Sequence, residues 1–109
     1  MAIEVVSEYL NTATVRIIAY VYNDSDALTD PTGITIEIWN PAGTRQLLDD
    51  PNYPIAMTQT ATGIYEYYYH KGSGVNAMTS GRWRFTVTVV DGAGASAIYS
   101  TGSGSFKVR

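Results

Sequence analysis

Hydrophobic and polar positions in this chain alternate with a period of two, which is the signature of strands with one buried face. Residues 3–6 form a short apolar run that ends at a polar break, Asn11-Thr12. Between Thr14 and Tyr22, Val15, Ile17, Ala19 and Val21 fall on one face, while Arg16, Ile18, Tyr20 and Tyr22 fall on the other. The second face is only half polar, so it is expected to be covered by something. Ile34, Ile36 and Ile38 alternate with Thr35, Glu37 and Trp39, and a return segment is expected at 45–48. Further strands are predicted at 55–60 and 64–71. In the latter, Tyr65, Tyr67 and Tyr69 share a face opposite Glu66, Tyr68 and His70. Gly81 opens the strongest strand, 82–90, with Trp83, Phe85, Val87 and Val89 inward and Arg82, Arg84, Thr86 and Thr88 outward. A final arm, 95–108, carries Ile98-Tyr99, a break at Thr101-Gly102-Ser103-Gly104, then Phe106 and Val108.

Turn formers punctuate these runs: Asn23-Asp24-Ser25-Asp26, Asp30-Pro31-Thr32-Gly33, Asn40-Pro41-Ala42-Gly43, Thr62-Gly63 and Asp91-Gly92-Ala93-Gly94. Two prolines in 49–54 mark a loop or edge crossing, and 72–80 reads as a polar crossover. No window shows a helical period. Seven to eight short strands at this spacing predict an all-β fold, a single antiparallel β-sandwich occupying residues 1–109, with 1–11 as an N-terminal arm or first strand.

Composition supports that reading and narrows the chemistry. Val, Ile, Thr, Tyr, Phe and Trp supply 44 of the 109 residues, and only four are Leu. Charged residues make up 16%, the net charge is −3, and there is no cysteine. Disulfides, thiolate metal sites and cysteine nucleophiles are therefore excluded. No basic leader with an apolar core opens the sequence, so no signal peptide is expected. No apolar run approaches the roughly 20 residues of a spanning helix, and no membrane association is expected. An acidic balance argues against a nucleic-acid partner, which would need a broad basic surface.

Three pieces of sequence carry a resemblance. They are the Thr14–Tyr22 strand leading into Asp30-Pro31-Thr32-Gly33-Ile34-Thr35-Ile36; the turn Trp39-Asn40-Pro41-Ala42-Gly43-Thr44; and Thr62-Gly63-Ile64-Tyr65-Glu66-Tyr67 with the later Gly81-Arg82-Trp83-Arg84. Together they resemble an immunoglobulin-like sandwich of the macroglobulin type, and are similar to small Ig-like proteins encoded by bacteriophages and prophages. The resemblance spans residues 12–108. It implies a virion-associated role made in a host cytoplasm, as a head decoration, neck or tail accessory protein, and it carries no catalytic residue.

The side chains that could bear chemistry read as structural. His70 is the only histidine, with no orienting carboxylate beside it and no Gly-x-Ser-x-Gly elbow in the chain, so no enzymatic activity is expected. Asp24, Asp26 and Asp30 could offer oxygens to calcium but lack the EF-hand glycine and closing glutamate, and a solvated turn is the expected role. Asn23-Asp24-Ser25 matches a glycosylation sequon that is expected to go unused. Glycine pairs at 92/94 and 102/104 read as hairpin and bulge positions, and they lack the Gly-Lys-Ser/Thr of a phosphate loop. Arg82 and Arg84 are expected to pair across a sheet with Glu37 or Glu66.

Surface contact is left as the expected function, with no cofactor and no metal. Tyr20, Tyr22, Trp39 and Tyr68 fall opposite the predicted core, where a protein interface, glycan stacking or outer-face packing would use them. Ile3 and Val5, in a first strand set off by a polar break, are the expected site of strand addition to a neighbour. The expected partner is a viral structural protein, and a homo-oligomer is one form such contact can take. The alternative is a carbohydrate-binding module using the exposed aromatics, Trp39 and Tyr68 in particular.

Overall fold

The computed structural model describes residues 1–11, 14–46, 53, 55–70, 79–92 and 94–108. Eight strands form two four-stranded antiparallel sheets: β1 (Ala2–Asn11), β2 (Thr14–Tyr22), β3 (Gly33–Trp39), β4 (Ile55–Ala56), β5 (Thr58–Ala61), β6 (Ile64–His70), β7 (Gly81–Asp91) and β8 (Ile98–Val108). Sheet A has the order β1-β2-β6-β5, and sheet B the order β4-β3-β7-β8. Consecutive pairs thus alternate between sheets, β1-β2 and β5-β6 in A, β3-β4 and β7-β8 in B. The expected all-β sandwich is the fold, and the only helical turn among the described residues is a 3-10 turn at Gly94–Ser96.

The period-two pattern sets which side chains meet. Val15, Ile17, Ala19, Val21, Tyr65 and Tyr69 of sheet A bury against Ile34, Ile36, Ile38, Trp83, Phe85, Val87 and Val89 of sheet B. Trp83 is fully buried, 5.5 Å from the Tyr69 ring and 5.9 Å from Phe106, and its indole Nε1 donates to the Thr79 carbonyl at 2.8 Å. Burial pushes the Tyr69 phenol up to about 12, with the neighbouring Tyr67 adding to the shift.

Three expectations change. The run at 3–6 is part of a ten-residue strand that pairs with β2 from Ala2 opposite Tyr22 to Asn11 opposite Thr14. Ile3 and Val5 turn inward, pack on the core and lie over Gly102 of β8. Ser7 Oγ donates to the Ser105 carbonyl and Ser100 Oγ to that of Met1, tying the adjoining edges of the two sheets together. The segment is a wall of the sandwich, and it cannot leave without uncovering the core.

The expected break at 101–104 is absent, because β8 runs unbroken for eleven residues. A Cβ on Gly104 would lie 2.5 Å from Phe85 Cζ, and one on Gly102 would lie 3.0 Å from Ile3 Cγ2. Those glycines make room for side chains facing them across and along the sheets, which is a tertiary requirement and not a turn. The strand expected at 55–60 divides in two at Met57, whose side chain is buried, so the chain passes from sheet B to sheet A.

The return at 45–48 appears as a single bridge, Trp39 to Arg45, with the Gln46 amide donating to the Ile38 carbonyl. Residues 47–50, 51–52 and 54, and most of the crossover at 72–80, lie outside the described residues.

Candidate interaction surfaces

The two outer faces of the sandwich differ in character. On sheet A, registration places three rows side by side: Glu4-Tyr20-Ile64, Val6-Ile18-Glu66 and Glu8-Arg16-Tyr68. Val6 and Tyr68 are 43% and 42% exposed, Tyr20 and Tyr22 are half-buried, and Ile18 is buried although it faces outward. Arg16 lies between Glu8, at 3.4 Å, and Glu66, which it also engages, while Tyr68 Oη donates to Glu66 Oε2 at 3.4 Å. Glu66 is buried and paired with Arg16, at the middle of a face that mixes charged residues with apolar and aromatic ones. Aromatic rings of this kind can give a partner large contact area with a polar tip for hydrogen bonding.

The outer face of sheet B is hydroxyl-rich and basic. Rows run Thr35-Thr88-Thr101, Glu37-Thr86-Ser103, Trp39-Arg84-Ser105 and Arg82-Lys107. Glu37 accepts an ion pair from Arg45 at 3.3 Å and a hydrogen bond from Tyr53 Oη at 3.3 Å, and the Arg45 guanidinium lies over the Trp39 ring, 5.6 Å from its centroid. The expected pairing of Arg82 and Arg84 with Glu37 or Glu66 therefore does not form. Glu37 is taken by an arginine from the following turn, and Glu66 lies on the other sheet with Arg16. Arg82 donates to Ser105 Oγ at 3.0 Å, and Arg84 and Lys107 have no hydrogen-bond or ion-pair partner among the described residues. Trp39, Arg82, Arg84, Thr86, Ser103 and Ser105 line an open groove of about 630 Å³.

Trp39 and Tyr68 thus sit on opposite outer faces. They do not form one stacking platform. His70 ends β6 opposite Thr14, and its side chain lies outside what is described.

The acidic loop does not gather its carboxylates. Asn23 Oδ1 accepts the amides of Ser25 and Ala27, closing a local turn, while Asp24 lies 3.1 Å from the α-amino group of Met1. Asp30 turns instead to the β5-β6 connection, where its Oδ1 accepts the Gly63 amide at 2.7 Å and Gln59 Nε2 at 2.8 Å, with Tyr65 Oη at 3.4 Å. Among the described residues no group of three or more acids or histidines is placed to hold a metal ion. Gly63 has φ +71°, and its Cβ position is crowded to 2.7 Å by the Thr29 amide nitrogen, so the site accepts only glycine.

The Gly63 amide, then the Gln59 amide, hold the Asp30 carboxyl below the usual aspartate range. A folded value below the unfolded one gives stability that is fully present above about pH 4 and is lost as the pH falls through the lower folded value. Asp30→Asn is expected to lower the urea midpoint at pH 7. The difference from the parent should shrink towards zero near pH 2, measured by urea denaturation across that range.

Comparison with known protein families, with curated proteins and with solved structures finds no match to this chain.

Proposed function

We propose that this chain is a non-enzymatic protein that works by surface contact, as an immunoglobulin-like accessory of a bacteriophage virion. The outer face of sheet A is the observation that supports the contact reading. Exposed Val6 and Tyr68 share this face with half-buried Tyr20 and Tyr22, where solvent alone would favour polar side chains. Tyr rings in such a setting are common anchors of protein interfaces. A rigid sandwich with this face can lie flat against a viral structural protein or against a second copy of itself. The virion setting is supported by the sequence resemblance to phage-encoded Ig-like proteins, carried by the turns at 30–33 and 40–43 and by Gly63-Ile64-Tyr65 and Gly81-Arg82-Trp83.

Fractionation of phage particles tests the setting. Particles released from a culture carrying the gene are banded by density, and the chain is sought by mass spectrometry. It is expected in the particle band in repeated copies, and recovery only among unassembled soluble proteins would overturn the reading.

A further inference from the structure

We propose that the groove on the outer face of sheet B binds a carboxylated saccharide, with Trp39 and Arg84 as its principal contacts. The inference develops the sugar-binding alternative at Trp39 alone. It concerns the face opposite the protein-contact surface, so either can fail without the other.

Charge is the first argument. The chain is acidic overall, at −3, yet Arg82, Arg84 and Lys107, three of its seven basic residues, share this face. Glu37, the one carboxylate on this face among the described residues, is already paired with Arg45. Arg84 is exposed and has no partner among the described residues, so its guanidinium keeps its donors for an anion. A planar fork of this type matches a carboxylate with two parallel hydrogen bonds.

The lining supplies the rest of the specificity. Trp39 stands directly across β3-β7 from Arg84, and Ser105 directly across β7-β8. Thr86 Oγ1 and Ser103 Oγ lie 3.1 Å apart one row along. Each hydroxyl can donate and accept, which suits the vicinal hydroxyls of a pyranose, and the indole edge or the ring face that Arg45 does not cover suits its C–H surface. A volume of about 630 Å³ fits one or two sugar rings and lies within the range of small-molecule sites. The groove is open, so an oligomer can run along it beyond the ring held at Arg84. A nucleic acid is disfavoured by the small basic area, and an acidic protein by the concave, ring-sized shape.

The test is isothermal titration of the intact protein with trigalacturonic acid. Maltotriose, polyglutamate and a single-stranded oligonucleotide serve as competing classes, and an amide NMR map locates any binding. Trigalacturonate is expected to bind in the sub-millimolar range, perturbing amides around Arg84 and Ser105. Arg84→Gln is expected to weaken it by about tenfold or more, as the loss of a charge-assisted pair requires. Trp39→Ala should weaken it comparably, and Tyr68→Ala on the other sheet should leave it unchanged. Because Arg84 is exposed, its variant keeps the fold and remains informative if Trp39→Ala does not. The proposal is overturned by any of four results: no binding at millimolar ligand, equal binding of maltotriose, tighter binding of polyglutamate or the oligonucleotide, or an Arg84→Gln variant with unchanged affinity.

Discussion

Gly104→Ala is expected to destabilise the protein by about 3 kcal/mol, at the upper end of what overpacking a core by one methyl group ordinarily costs. The position is in the middle of β8, paired with Phe85, and the added Cβ would stand 2.5 Å from Phe85 Cζ and 3.0 Å from Cε1. Relief requires the ring to move, yet the ring is 1% exposed and stacked 6.4 Å from Phe106. Close-packed interiors transmit such a displacement to several neighbours. Ser103→Ala, one residue away and facing solvent, should change stability by less than about 0.5 kcal/mol. Urea denaturation of the two variants separates a packing requirement at residue 104 from a general sensitivity of the strand. Equal effects would show that the glycine is not there for the ring.

Trp83→Ala is expected to cost about 4 kcal/mol. The indole is the largest fully buried side chain in the described structure and touches rings on both sheets, Tyr69 on A and Phe106 on B. Its removal leaves a cavity between two sheets whose spacing is set by many other side chains, so little of the space can be recovered by collapse. The loss also strands the Thr79 carbonyl, which accepts the indole N–H at 2.8 Å. Trp83→Phe should recover most of the packing but not that hydrogen bond, and should fall between the parent and Trp83→Ala. Chemical denaturation monitored by far-UV circular dichroism checks the order, since the tryptophan signal itself changes.

How far the fold could be read from sequence depended on where the determining contacts lie. In β2, β3, β6 and β7 each strand alternates against solvent or a neighbouring sheet, and the pattern along the chain is enough. In β8 it was misleading, since Gly102 and Gly104 have the composition of a turn. They are strand residues because Ile3 and Phe85 need their space. For β1 the sequence left an arm or a first strand open over 1–11, and it is a strand whose polar residues have tertiary partners, Ser7 on the β8 backbone and Glu8 with Arg16.

The candidate surfaces were legible as residues and not as assemblies. Tyr20, Tyr22, Trp39 and Tyr68 were rightly placed opposite the core, yet alternation within a strand cannot say which sheet the strand joins. Tyr68 and Trp39 lie on different sheets because the hairpins alternate, and that separates the two faces. The pairing of Arg45 with Glu37 arises from a bridge after the turn at 40–43, and it leaves Arg84 without a partner among the described residues. No local signal announces such a rearrangement of partners. The clustering of Arg82, Arg84 and Lys107 likewise needed the β7-β8 register.

Co-sedimentation with particles lacking the chain tests the contact reading most directly. Added parent protein is compared with the double variant Val6→Lys, Tyr68→Lys, whose two sites are exposed on the outer face of sheet A and whose fold should persist, as a thermal melt verifies. The parent is expected to pellet with the particles, and the double variant to lose at least about tenfold in binding, as removal of interface anchors does. Equal pelleting of a folded double variant, or a parent protein that stays in the supernatant, would contradict the account.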